Sequence, residues 1–236
     1  VSHIHPDGDA ISSTCAVGFL LEKLGKQYVL INESPLPKKF EYLYGSENIR
    51  QFDDDAVTDK YEYVIALDCA DYKRIGKVDQ WFAEQASILN IDHHPTNDHF
   101  GDISLIDPHA AATVEVLYDL FSLFDIPWDR QLAVCIYTGL LTDTGGFRYA
   151  NTSPKVMKIA SDLLAHGVSA HQLAEHLLEK TTMSHIQILK RALETLSFTQ
   201  NNKICWLSVT KKDLDETGAS NQDLDGLVNY PRNIEG

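Results

Sequence analysis

Basic residues, sulfur and long apolar runs are all scarce in this chain. Twenty Lys and Arg stand against 34 Asp and Glu, a formal net charge of −14. That deficit excludes a protein that wraps duplex DNA, which needs a basic face. A small anionic substrate stays open, because bound cations invert the sign of a local field. No apolar run reaches the ~20 residues of a membrane span, and no signal peptide is present, so no membrane partner is expected. The four cysteines (Cys15, Cys69, Cys135, Cys205) are far apart and form no C-x-x-C pair, which argues against a disulfide framework. Their apolar contexts read as buried free thiols in a reducing cytoplasm.

What is present is the composition of a globular protein. Apolar residues make up 44% of 236 positions, enough for one large domain or one domain plus part of another. The chain starts at Val1-Ser2 without an initiator Met and stops abruptly at Asn233-Ile234-Glu235-Gly236. Both ends read as those of a fragment trimmed from a longer protein.

Strand and helix signals alternate. Asp9 or Ser12 is placed to cap a helix through Ala16, Leu20, Leu21 and Leu24 that stops at Gly25. Residues 27–31, 61–67 and 87–91 read as strands, the last two ending at Asp68 and Asp92. Residues 38–52 are less regular. Residues 109–124 and those around Leu132, Ile136 and Leu140 show helical periodicity. Ser153-Pro154 caps a further helix that ends at Gly167. The expected fold is α/β, a parallel sheet with helices on both faces. Residues 1–168 would form this domain and 169–196 a helical connector with a polar break at 180–183. Residues 197–236 would begin a second, smaller α/β domain, with a strand at 204–210 and a polar stretch after Asp213.

The chemistry lies in four acidic segments. His3, Asp7 and Asp9 share one short loop, in which Gly8 would relax the backbone between the carboxylates. Asp68, the triplet Asp92-His93-His94, and Asp143 each stand where an apolar run stops. Hard carboxylate oxygens mixed with imidazole nitrogens suit a first-row divalent cation such as manganese. Ligands bind beyond the carboxyl ends of parallel strands, and four acidic turns converging there would form the skeleton of a two-metal hydrolase. A helix that starts just after Asp9 adds a positive dipole end for a phosphate.

Taken together, His3-Ile4-His5-Pro6-Asp7-Gly8-Asp9-Ala10, Leu67-Asp68-Cys69-Ala70-Asp71, Asp92-His93-His94 and Thr142-Asp143-Thr144-Gly145-Gly146-Phe147 resemble the DHH phosphoesterase superfamily. Residues 142–151 and Gly226-Leu227-Val228-Asn229-Tyr230 are most similar to its nano-RNase group, oligoribonucleases that also act on 3′-phosphoadenosine 5′-phosphate. The resemblance implies an enzyme that hydrolyses short RNA or small nucleotides with a hydroxide activated by two divalent ions, Mn²⁺ foremost, with Mg²⁺ or Co²⁺ as substitutes. His3 and Asp7 would hold the first metal, and Asp9, His93 and Asp143 the second. Asp68 would bridge them. His94 would face the substrate phosphate, with Asp92 orienting the histidines. Arg74, Arg148 and Tyr149 would be substrate neighbours. His5 has no role in this scheme, and His109 and Ala112 stand where related sequences carry small hydroxylated residues.

The same resemblance implies a C-terminal domain with a G-G-G-H motif, absent before Gly236, and is compatible with a homodimer. The alternatives within it are a cyclic- or linear-dinucleotide phosphodiesterase and, further off, an inorganic pyrophosphatase. Outside enzymology the alternative is a catalytically silent nucleotide-binding module, which would normally have lost a ligand; every ligand position is filled here.

Overall fold

The computed structural model describes residues 1–53 and 60–235. Two compact units divide it, Val1–Leu178 and Glu179–Gly236. The division falls inside the segment read as a connector.

In the first unit the structural order is α1 (Gly8–Lys23), β1 (Leu30–Asn32), β2 (Ile49–Gln51), β3 (Tyr61–Leu67), β4 (Phe82–Asp92), β5 (Ile103–Ile106), α2 (Thr113–Phe121), α3 (Arg130–Asp143), α4 (Pro154–Ala165) and α5 (Ala170–Ala174). All strand pairs in this unit are parallel: β1 with β2, and β3–β4–β5 in that order. Val1 and Ser2 lie beside β3, with Leu67 N–H donating to the Val1 carbonyl and Ser2 bridging Leu67. On the other side the Asn32 amide holds Ser2 through its backbone N–H and its hydroxyl, each at 2.9 Å.

The strands alternate between two apolar layers, as a period of two requires. Ile65, Leu67, Leu89 and Ile91 face the core built by α1 to α4. Ala66 and Ile88 face a smaller layer with Ile75, Val78 and Trp81, supplied by 3₁₀ turns across Tyr72–Trp81. Both faces are therefore covered, as expected. α1 is buried on all sides from Gly8 to Leu20, which marks it as the central helix.

Several local expectations need correcting. The cap of α1 is Asp7, whose carboxylate accepts from Asp9 and Ala10 N–H, both at 3.1 Å, rather than Asp9 or Ser12. Position 7 has the extended backbone a cap needs, whereas 9 and 12 are already helical. α2 begins at Thr113, four residues later than its apolar periodicity suggested, because the preceding residues are turns. β1 is shifted to 30–32, β4 starts five residues earlier, and β5 carried no signal because all its side chains are at least partly exposed. The Ser153-Pro154 start of α4 is as read. Cys15, Cys69 and Cys135 are buried free thiols, but Cys205 is only half-buried.

The second unit contains α6 (Met183–Glu194), the antiparallel pair β6 (Ser197–Phe198) and β7 (Cys205–Trp206), α7 (Lys211–Thr217) and α8 (Asn229–Arg232). The strand expected over 204–210 shrinks to two paired residues, and the polar stretch after 213 is largely α7 and a 3₁₀ turn. Thr182, within the polar break, caps α6. Among the described residues no helix is long and apolar enough to cross a membrane.

Candidate metal centre

Register places the centre. Ser2 pairs with Leu67 and Leu67 with Ile91, so the next residue on each segment, His3, Asp68 and Asp92, falls in one row, Asp92 as the last residue of β4 and Asp68 just past β3. Helix ends bring the rest. Asp7 and Asp9 stand at the start of α1, and Asp143 is the last residue of α3. Two glycines permit the close approach. A Cβ on Gly8 would overlap the Thr142 side chain, and one on Gly139 would collide with Val114 and the Asp9 carboxylate. Gly8 therefore serves helix packing; its φ is not positive, so it does not relax a turn between the carboxylates.

Two groups of donors share Asp68. His3 Nε2 lies 3.4 Å from Asp68 Oδ2 and 3.9 Å from Asp7 Oδ1. His93 Nε2 lies 3.4 Å from Asp143 Oδ2, 3.6 Å from Asp68 Oδ1 and 3.9 Å from Asp9 Oδ2. Asp68 thus presents one oxygen to each group, from a left-handed backbone (φ 57) that only a few side chains, Asp among them, tolerate. His3, Asp7 and Asp68 form one set able to hold an ion, and Asp9, His93 and Asp143 another.

The two imidazoles are prepared for this. His3 Nδ1 contacts the Ile4 carbonyl at 2.7 Å and His93 Nδ1 the Ala110 carbonyl at 3.2 Å. A carbonyl can only accept, so each Nδ1 carries a proton and Nε2 is the nitrogen left to meet a cation, in His3 by giving up the proton shared with Asp68 and Asp7. His94 is set the other way. Its Nδ1 is 2.7 Å from Asp92 Oδ1, which occupies the nitrogen facing the cluster. Although Asp68, His93 and His94 also lie close enough to form a third set, that hydrogen bond argues against His94 as a ligand.

Crowding sets the electrostatics. Burial, reinforced by the neighbouring carboxylates, pushes Asp9 and Asp143 well above the usual carboxylate range. Burial disfavours charge on His3, but the hydrogen-bonding contacts with Asp68 and Asp7 outweigh it and hold the imidazole up to about 10. Burial likewise opposes ionisation of Asp7, yet His3 keeps it below the ordinary value. Without a cation the cluster thus relies on protons to balance its charge. A divalent ion would supply that balance directly, and the donor set fits one.

Several functional contacts were not foreseen. α2 has no cap of its own at Ala112; Asp9, more than a hundred residues away in sequence, accepts from Thr113 N–H at 2.5 Å and Val114 N–H at 3.1 Å. Thr113 Oγ1 donates to Asp68 Oδ1 at 3.0 Å. Asn97 reaches Asp92, and Asn151 Nδ2 donates to the Asp143 and Ala111 carbonyls. No local feature of the sequence announces these contacts. Of the residues expected to neighbour a substrate, Arg74 is half-buried and its charge opposes protonation of His94. Arg148 is exposed, with Nε donating to the Gly145 carbonyl at 2.6 Å, and the Tyr149 ring lies against Gly145. His5 and His109 are exposed and stand in neither donor set.

Residues 1–140 match the DHH family, N-terminal domain. The chain belongs to the DHH family. The chain is 34% identical over 240 aligned residues to the bifunctional oligoribonuclease and PAP phosphatase NrnA of Thermus thermophilus, covering 100% of this chain and 68% of that protein. It is 28% identical to the protein of the same name from Bacillus subtilis, over 99% of this chain and 73% of that one. An exopolyphosphatase-related protein from Bacteroides fragilis shares the fold with a TM-score of 0.89 at 26% identity, over 99% of this chain and 71% of that one. This DHH chain is therefore α/β throughout the matched region, with the four acidic segments at its strand and helix ends.

Proposed function

We propose that this protein is a divalent-metal-dependent phosphoesterase that hydrolyses short oligoribonucleotides and removes the 3′-phosphate of 3′-phosphoadenosine 5′-phosphate. The single observation that carries the reading is the paired donor set around Asp68, one oxygen towards His3 and Asp7 and the other towards His93, with Asp9 and Asp143 beyond. The names of the relatives from T. thermophilus and B. subtilis supply the substrate class.

His3 and Asp7 would hold one ion, and Asp9, His93 and Asp143 the other, with Asp68 between them. Mn²⁺ suits the mixture of carboxylate and imidazole, and Mg²⁺ or Co²⁺ would substitute. Two such ions polarise a phosphate and lower the pKa of attacking water. His94 does different work. Its bond to Asp92 raises its proton affinity despite partial burial, so it can hold a proton at Nε2 towards a phosphate oxygen or leaving oxygen. Asp92, kept ionised by His94 and Asn97 against the cost of burial, balances that charge. Arg74, whose charge is felt at His94, is a candidate for a second positive contact to phosphate.

The test is turnover of a ribodinucleotide, 3′-phosphoadenosine 5′-phosphate, a cyclic dinucleotide and inorganic pyrophosphate across a Mn²⁺ titration. Hydrolysis of the first two that depends on the metal supports the reading. Cleavage of pyrophosphate alone, or no hydrolysis at any metal concentration, overturns it.

A further inference from the structure

The turn after His93-His94 contains an asparagine outside both donor sets. Asn97 N–H closes the turn on the His94 carbonyl at 3.1 Å. Its Oδ1 accepts from His99 N–H at 2.7 Å, which fixes which end of the amide is which. Nδ2 then faces acceptors only: Asp92 Oδ2 at 2.6 Å, Asn90 Oδ1 at 2.9 Å and the Cys69 carbonyl at 3.0 Å. Asn90 is fully buried and its own amide reaches back to the Ala66 and Cys69 carbonyls at 3.4 and 3.3 Å. One side chain therefore ties the residue after Asp68 to the carboxylate beside His93.

We propose that Asn97 is a positioning residue for His94. A carboxylate turns freely about its last torsion unless both oxygens are held. Asp92 Oδ1 takes His94 Nδ1, and Asn97 holds Oδ2, so the amide sets the carboxylate plane and with it the direction of the imidazole. The plane in turn decides where Nε2 points. Asn97 reaches neither His3, Asp7, Asp9, His93 nor Asp143 by hydrogen bond, and its loss should leave the ions in place. The inference rests on the role proposed above for His94.

A double-mutant cycle on the whole chain tests it, with wild type, Asn97→Ala, His94→Ala and the double variant assayed on a ribodinucleotide at saturating Mn²⁺. Asn97→Ala should lower kcat roughly 10–100-fold, the range for residues that orient a metal-site group, with KM and metal content near wild type. In the His94→Ala background the same change should cost less than about twofold, since nothing remains to be aimed. An equal loss in both backgrounds, or a single variant within twofold of wild type, overturns the proposal. Asn97→Asp keeps the contact to His99 but sets a carboxylate oxygen against Asp92 in place of the donor, so it should lose at least as much kcat and stands in if Asn97→Ala folds poorly. The His94 Nδ1–H proton resonance gives a reading that needs no turnover: it should shift or vanish in Asn97→Asp. A wild type that hydrolyses no phosphoester would sink the functional reading, and an unchanged resonance would sink this one.

Discussion

Two groups of acids in this molecule behave in opposite ways. In the first unit Asp9 and Asp143 are pushed well above the ordinary carboxylate range by burial and by neighbouring carboxylates. In the second unit Asp213 is drawn down to about 2, chiefly by its hydrogen bonds to Thr210, the cap of α7, and by Arg191. The residue type is the same. The surroundings differ: Asp9 is fully buried and Asp143 half-buried, both among other acids, whereas Asp213 is half-buried with donors at hand. Crowded, buried acids weaken a fold, and their persistence there points to a cation that binds the folded state. An acid held by donors at a helix cap supports local structure.

The comparison can be broken most severely at the shared carboxylate. Asp68→Ala should reduce hydrolysis by more than the ~100-fold typical of outer residues at a metal site, because it serves both donor sets. Near-normal turnover with Mn²⁺ would remove the two-metal reading altogether. The histidines come next. His93→Ala should lose one of two ions by elemental analysis, whereas His94→Ala should keep both and lose most activity. Equal metal loss in the two would mean that the hydrogen bond to Asp92 does not decide which imidazole binds.

Protons give a subtler measurement. His3, held up to about 10, is protonated at neutral pH, and burial among carboxylates favours the protonated forms of Asp9 and Asp143. Metal uptake near pH 7.5 should release about one proton or more, read by calorimetry in buffers of different ionisation enthalpy. No release would show that the cluster is not balanced by protons. The same logic gives a sign for stability. A carboxyl whose folded pKa lies above its unfolded value destabilises where it is ionised, and the penalty fades as pH falls towards the unfolded ~3.9. Asp143→Asn should therefore raise the metal-free Tm at neutral pH by roughly 2–4 °C, the shift that ~1 kcal/mol gives a domain of this size. The gain should disappear below about pH 4, and should reverse with Mn²⁺ present.

The smallest effect belongs to the acid at the cap. Thr210→Ala should cost the second unit about 1 kcal/mol through loss of the α7 cap and leave metal binding unchanged. Asp213 supports the fold above its unfolded pKa of ~3.9, and that support is lost as pH falls through about 2. The variant should flatten that part of the pH profile, as followed by circular dichroism. An altered metal affinity would mean that this cap does more than local work.

The sequence by itself determined the residue types and much of the order. β3 ends at Leu67 as its apolar run predicts, Ser153-Pro154 starts α4, and the four acidic segments were legible because each is a short polar cluster against an apolar background. Local signals of that kind depend on neighbours in the chain. Tertiary structure alone decided what those acids touch. Nothing near Ala112 announces that Asp9 caps α2 from the far end of the domain, and nothing in Asn97 or Thr113 marks them as partners of Asp92 and Asp68. The opposite pKa shifts of Asp143 and Asp213 are equally invisible, since burial and distance to other charges exist only once strands have set the register and the glycines at 8 and 139 have let the helices close. Chemistry that depends on through-space distance is fixed by packing, and packing is not a property of any short stretch of sequence.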